Sequence, residues 1–575
     1  MKEFINFNDF KETELYKIAQ ALPKGVLLHA HFGAIVNMIK FINFLKINNK
    51  DIYNNIYYVS DYDKVNNFFI QIDEYYEKKT NINNDLQNLL GKNKNDWDSI
   101  KNFNLPFNTK NNFSYGLTYF PGNPPCDGYT KLSKADPESH DNIISLGTRM
   151  QNVNEYNWDN LEKYTCSYWS LIKNNEIFPH YFNFILSEIK FDNLYGVELK
   201  TNIGSLHSKQ VKCKYDNNYC IYNGKWDGDK SELQIMNKIL LESEIKCNLI
   251  LGLHRGFINQ IPSSSDKVTG LLVKKCENPD LKNKIIKSID LFGEEEITNK
   301  NSVFIDALTT KCNHLNYSIH SGEALPGNKE DINLRNILNL KKKDSNNIIR
   351  VGHGITLGNT NSLMTKYKTN NIHIELCPLS NYILGYTPNL ANHPGIKFIK
   401  KKLKVSINSD DPSIYNYDYV SLDWFFVLGL WNLSTNQIKN ICLYSIKDSS
   451  FDKTIKKKMI KKFYSDFSKW RTNYIDKQKL NNAITNARVL LAKYSNVQVS
   501  DNVHVCGNVQ VGDNVHVCGN VQSGGNIQSG GNIQDGDNVQ SGGNVQSGGN
   551  SDFYYNKYLK YKKKYTFFKS TFLTN

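Results

Sequence analysis

Residues 25–33 read GVLLHAHFG. Val26, Leu27 and Leu28 run into His29 and His31, and Gly33 follows. In an extended strand alternate side chains share a face, so both imidazoles can aim at one atom. That pair becomes a metal site only if the rest of the chain brings further ligands to the same place.

Seven more short apolar runs end in polar or glycine residues, with helix-like segments between them. With the first run, the predicted strands are Val26–His31, Leu194–Thr201, Asn248–His254, Ser288–Phe292, Tyr317–His320, Ile348–Gly352, Ile372–Leu376 and Lys404–Asn408. Eight strands alternating with helices predict an α/β fold, a (β/α)₈ TIM-type barrel, whose chemistry gathers at the strand C-termini. His29, His31, His254, Gly293, His320, Glu323, His353, Asp410 and Asp411 all fall there. About 160 residues separate the first two strands, too many for one connection. Roughly residues 50–150 are therefore read as an inserted subdomain, so that the barrel domain is 1–495.

Composition narrows the class of protein without naming a function. The chain has 575 residues, 40% of them hydrophobic, and a net charge of +14, which permits an anionic partner but specifies none. No apolar run approaches the length of a membrane span. MKEFINFNDFKETE has no signal-type apolar stretch, and the eleven cysteines show no framework spacing. The expectation is an intracellular protein with reduced thiols.

From Val497 to Asn550 a six-residue period takes over, as VQVSDN, VHVCGN, VQVGDN, VHVCGN and then variants of VQSGGN. Such a period predicts a small β-solenoid, with a flexible glycine-rich segment as the alternative. His504, Cys506, His516 and Cys518 follow the repeat and are not read as a metal site. Residues 551–575 carry six lysines among Tyr and Phe. They read first as a solvated helix, and second as a contact for an anionic partner.

The remaining ligands lie in NYSIHSGE, RVGHG and SINSDDP, which place His320, Glu323, His353, Asp410 and Asp411 at strand ends. Three imidazoles and a carboxylate suit Zn²⁺ and leave a position for water, whose pKa such an ion lowers to about 7. Glu323 is placed as a proton donor. His353 is placed either to orient the oxygen or to take its proton. Asp411, pointing away from Asp410, is left for substrate.

In order, PKGVLLHAH, GVELK, SIDLFGEEE, IHSGE, RVGHG, ELCPLSN, NHPG and SINSDDP resemble the adenosine deaminase superfamily. The resemblance is nearest to the adenosine deaminase-related growth factor branch and covers roughly residues 15–490 outside the insertion. It implies His29, His31, His320 and Asp410 as zinc ligands, Glu323 as the acid toward purine N1, and His353 as the residue that activates or steadies the hydroxide. It further implies that the Gly293 backbone contacts N3, that Asp411 accepts from N7, and that Trp158, Glu162 and His254 line the nucleoside pocket. The implied reaction converts adenosine to inosine and ammonia. Deoxyadenosine, AMP or a modified adenine are alternative substrates, and a packaging protein that retains a barrel is an alternative of another class.

Three departures stand out. Phe32 and Gly33 occupy the places where the family usually carries a ribose-binding acid, so weak recognition of the sugar is expected. The short segment before the first strand lacks the branch's dimerisation domain, which leaves a homodimer open. Cys126 is the lone cysteine of the insertion, so no disulfide can form within it.

Overall fold

The computed structural model describes residues 3–59, 116–119, 129–203, 206, 213–216, 219–222, 228–258, 261–262, 264–281, 284–295, 298–324, 332–343 and 347–495. The repeat and the basic tail lie outside the described residues.

Eight parallel strands form one sheet in the order of the chain. They are β1 (Gly25–His31), β2 (Leu194–Thr201), β3 (Lys246–His254), β4 (Ile286–Phe292), β5 (Asn316–Ser321), β6 (Ile349–His353), β7 (His373–Leu376) and β8 (Val405–Ile407). Each coincides with a predicted strand to within two residues. All eight residues of β2 are buried, as a strand covered on both faces requires. A parallel bridge between Ala30 and Asp410 joins the last strand region to the first. Beside it the Asn408 carboxamide oxygen accepts from the amides of Leu28 (3.0 Å) and His29 (3.2 Å). The result is the expected TIM-type barrel.

Helix Thr435–Lys447, opened by a reciprocal Ser434–Gln437 capping box, lies outside this seam. It comes so near that a Cβ on Gly25 would stand 2.5 Å from the Cys442 carbonyl, and Gly25 has φ +84°. Glycine is the residue that admits both conditions. The register sets the site: His31 pairs with Lys200, Phe292 with His254, and Ser321 with His353, so the polar strand ends lie at one level. In the region read as an insertion, Ile56–Val59 pairs antiparallel with Gly116–Tyr119 and Tyr129–Lys131.

The barrel interior below the strand ends is charged. Arg350 donates to Glu375 (2.6 Å) and Glu198 (2.7 Å), and Lys200 meets Asp290 at 3.1 Å and Glu375 at 3.5 Å. All five side chains are buried, where an ion pair persists only with its hydrogen bonds satisfied.

One expectation is corrected. Cys276 and Cys312 form a disulfide, because helix Ser265–Glu277 and the end of helix Ile305–Lys311 bring their Cα atoms to 5.2 Å. Spacing along the chain gave no hint of a pairing made by two neighbouring helices. Cys247, Cys377 and Cys442 are free and buried. Among the described residues no helix is long and apolar enough to cross a membrane.

Candidate active site

His29 and His31 project from the end of β1, His320 from β5, and Asp410 from the turn after β8. One ligand atom from each of the four lies within 4.8 Å of the others. Asp410 Oδ1 is 3.2 Å from His29 Nε2 and 3.1 Å from His31 Nε2. His29 Nε2 and Asp410 Oδ1 are buried and make no hydrogen bond. The far sides of two rings are occupied: His29 Nδ1 meets Glu375 at 3.0 Å, and His320 Nδ1 meets Asp290 at 2.8 Å. Burial alone would raise the Glu375 carboxyl, but Lys200 and Arg350 outweigh it and hold it well below the usual range. An ionised carboxylate only accepts, so it draws the His29 proton to Nδ1 and leaves the Nε2 lone pair facing the centre. This is how a carboxylate prepares an imidazole for a metal. Orphaned polar atoms, the donor set and the tautomer all fit a zinc ion.

A second grouping, His29, His353, Cys377 and Asp410, overlaps the first. Burial pushes the Cys377 thiol up, so it does not ionise readily, and the three-imidazole set is the better cation site.

Glu323 follows β5 and is held by its backbone. Its amide and that of Gly322 both donate to Glu295 at 3.1 Å. Burial, then the charges of Asp410, Glu295 and Asp411, raise the Glu323 carboxyl well above the usual range, so it keeps its proton near neutrality. Its Oε1 lies 3.6 Å from His353 Nε2, and neither atom has a hydrogen-bond partner. His353 and Asp410 both have φ +63°, a conformation unfavourable for residues with a Cβ. Such departures concentrate where a side chain must be aimed.

The other predicted residues divide. Gly293, at φ +111°, lies against His254: a Cβ there would be 2.5 Å from His254 Nε2, so the two share one wall. Burial lifts Asp411 most, His31 offsets part of this and Asp410 adds to it, leaving the carboxyl at about 7. This changes its reading, since purine N7 carries a lone pair and a facing group must donate. Protonated Asp411 can donate, whereas the expected acceptance from N7 is chemically the wrong way round. Trp158 Nε1 donates to Tyr386 at 2.5 Å. Glu162 belongs to helix Trp158–Ser167, and its side chain lies outside the description.

Phe32 points into the core. It is 1% exposed and packs on Phe178 and Tyr181 at centroid distances of 5.5 Å and 5.3 Å, with Lys173 over its ring. Immediately after β1 the chain turns this side chain into an aromatic cluster. The Phe32 ring is thus a core side chain, and positions 32 and 33 carry no carboxylate.

Asp290, Glu375, Lys200, Glu295 and Asn381 escaped the sequence reading. A signal was present for the first three, charged residues inside apolar strands that must pair when buried. Asn381, in helix Pro378–Ile383, places its amide nitrogen 3.0 Å from His353 Nδ1.

A parallel eight-stranded barrel with a His/Asp cluster and a buried acid at its strand ends defines a hydrolase-type centre. Residues 245–466 match the adenosine deaminase family. The chain is 26% identical over 366 residues to adenosine deaminase 2 of Dictyostelium discoideum, covering 59% of this chain and 62% of that one. It is 28% identical over 180 residues to adenosine deaminase 2 of Sus scrofa, covering 30% and 34%. An adenine deaminase structure from Arthrobacter aurescens aligns at 14% identity and a TM-score of 0.47, over 78% of this chain and 99% of that one. The chain thus spans less than two thirds of the length of these curated relatives.

Proposed function

We propose that this chain is a zinc-dependent aminohydrolase that converts adenosine, or a closely related purine nucleoside, to inosine and ammonia. The observation that carries the reading is the convergence of His29, His31, His320 and Asp410 on one point, with protonated Glu323 beside them. Zinc bound there supplies Lewis acidity to a water molecule.

The chain's own residues divide the remaining work. Glu323 holds a proton for purine N1, so that C6 becomes electrophilic as the water oxygen adds to it. His353 meets that oxygen through Nε2. Protonated Asp411 donates to N7, and the Gly293 backbone faces N3, which fixes the base edge-on. The proton that the water gives up restores the Glu323 carboxyl; the C6 hydroxyl proton then passes to the amine, and the C6–N bond breaks to release ammonia and leave C6=O beside N1–H.

The test is elemental analysis of the purified chain together with an ultraviolet deamination assay. The panel is adenosine, 2′-deoxyadenosine, AMP, N6-methyl-AMP and adenine. Turnover of adenosine or deoxyadenosine in proportion to bound zinc is expected. A zinc-loaded, folded chain that deaminates no member of the panel would overturn the proposal.

A further inference from the structure

Three hydrogen bonds run in one direction from the backbone to the centre of the site. The Gly395 amide can only donate, and it meets His393 Nδ1 at 3.0 Å. Burial pushes the His393 pKa down to about 3, so the ring is neutral and its one proton sits on Nε2. That nitrogen lies 3.2 Å from Asn381 Oδ1, which accepts it. The carboxamide is thereby oriented, with its NH₂ end 3.0 Å from His353 Nδ1. His353 Nδ1 must offer a lone pair to receive that bond. All three side chains are buried, and Trp431 stacks on His393 at 5.1 Å and 22°, which restrains the ring from turning over.

We propose that Asn381, oriented by His393, is a positioning residue that locks His353 in its Nε2–H tautomer. His353 then presents an N–H to the space bounded by Glu323 Oε1 at 3.6 Å and Asp410 Oδ2 at 3.9 Å. In the reaction proposed above, on which this role rests, His353 donates a hydrogen bond to the attacking oxygen and does not serve as its base. The tautomer itself follows from the hydrogen-bond directions and is independent of that reaction.

The experiment is a long-range proton–nitrogen correlation spectrum of the full-length, zinc-loaded chain containing isotope-labelled histidine. The His353 signal is assigned by its loss in His353→Gln. The wild-type spectrum at neutral pH should show the Nε2–H pattern, and the Nδ1–H pattern would overturn the inference with no further variant needed. Asn381→Asp replaces a donor by an acceptor, and should move the His353 proton to Nδ1 or add a second one there. With zinc at one per chain, kcat should fall on the order of 10–100-fold while KM changes little. A residue with a merely structural role would not move the tautomer. If Asn381→Asp does not fold, His393→Phe keeps the stack on Trp431 but releases the amide, and both tautomers should then appear. An unchanged His353 pattern in a folded variant of either kind would overturn the inference. The stated tautomer in a chain that deaminates nothing would support the inference while overturning the proposed reaction, so the two failures are distinguishable.

Discussion

His29 Nε2 and Asp410 Oδ1 face each other at 3.2 Å, buried, without a hydrogen bond between them. Ligand atoms of His31 and His320 lie within 4.8 Å of both, so one cation could bind all four. One zinc per chain is the expected content. His320→Ala removes one ligand of four, and elemental analysis should find most of the metal gone. Full zinc occupancy in that variant would rule out the assignment.

Glu323→Gln keeps the shape of the side chain and removes its proton. The variant should hold zinc normally and lose about 10²–10⁴ in kcat, the usual worth of a positioned general acid. A loss below about tenfold would mean that another group protonates N1.

Asp411 gives a pH dependence of determinate sign. Its carboxyl is raised to about 7, so the donating acid form is present below that pH and is lost above it. kcat/KM should therefore fall on the alkaline side of about pH 7. Asn at this position donates at every pH, so Asp411→Asn should flatten that limb. A variant profile identical to that of the wild type would remove Asp411 from recognition of the base.

Lys200 is the cation common to the two carboxylates that hold His29 and His320. Lys200→Met leaves Asp290 and Glu375 short of a countercharge. Breaking a buried pair costs about 3–5 kcal/mol, read as a lower urea midpoint. Zinc affinity should weaken on the order of 10–100-fold. An unchanged midpoint would show that Arg350 suffices for the whole ladder.

Phe32 separates packing from recognition. Phe32→Ala empties part of an aromatic cluster and should cost about 3–5 kcal/mol. The milder Phe32→Leu should leave KM for adenosine unaltered. A KM change beyond about threefold in that variant would return the ring to the pocket.

The eight strands were legible because buried parallel strands are written as aliphatic runs with a polar stop. The clustering of His29, His31, His320, Glu323 and Asp410 was legible because these residues sit at or just beyond those stops. Asn381 was not, since its role depends on which way a carboxamide faces, and that is fixed by Gly395 in a later segment. The packing of Phe32 agrees with strand alternation, which turns residue 32 away from the face that carries His29 and His31. The Cys276–Cys312 bond was hidden because two helix ends make it, not a spacing.

The seam between β1 and β8 has one further consequence, and it concerns biosynthesis. His29 and His31 lie on one side of it and Asp410 on the other, joined at the Ala30–Asp410 bridge. A ribosome delivers the two histidines first, and about 380 residues must follow before the carboxylate emerges. At 5–20 residues per second that interval is roughly 20–80 s, during which the nascent chain can offer a metal only an incomplete chelate. On the zinc reading proposed above, metal capture would close maturation, and an ion bound across the seam would fasten the first-made strand to the last.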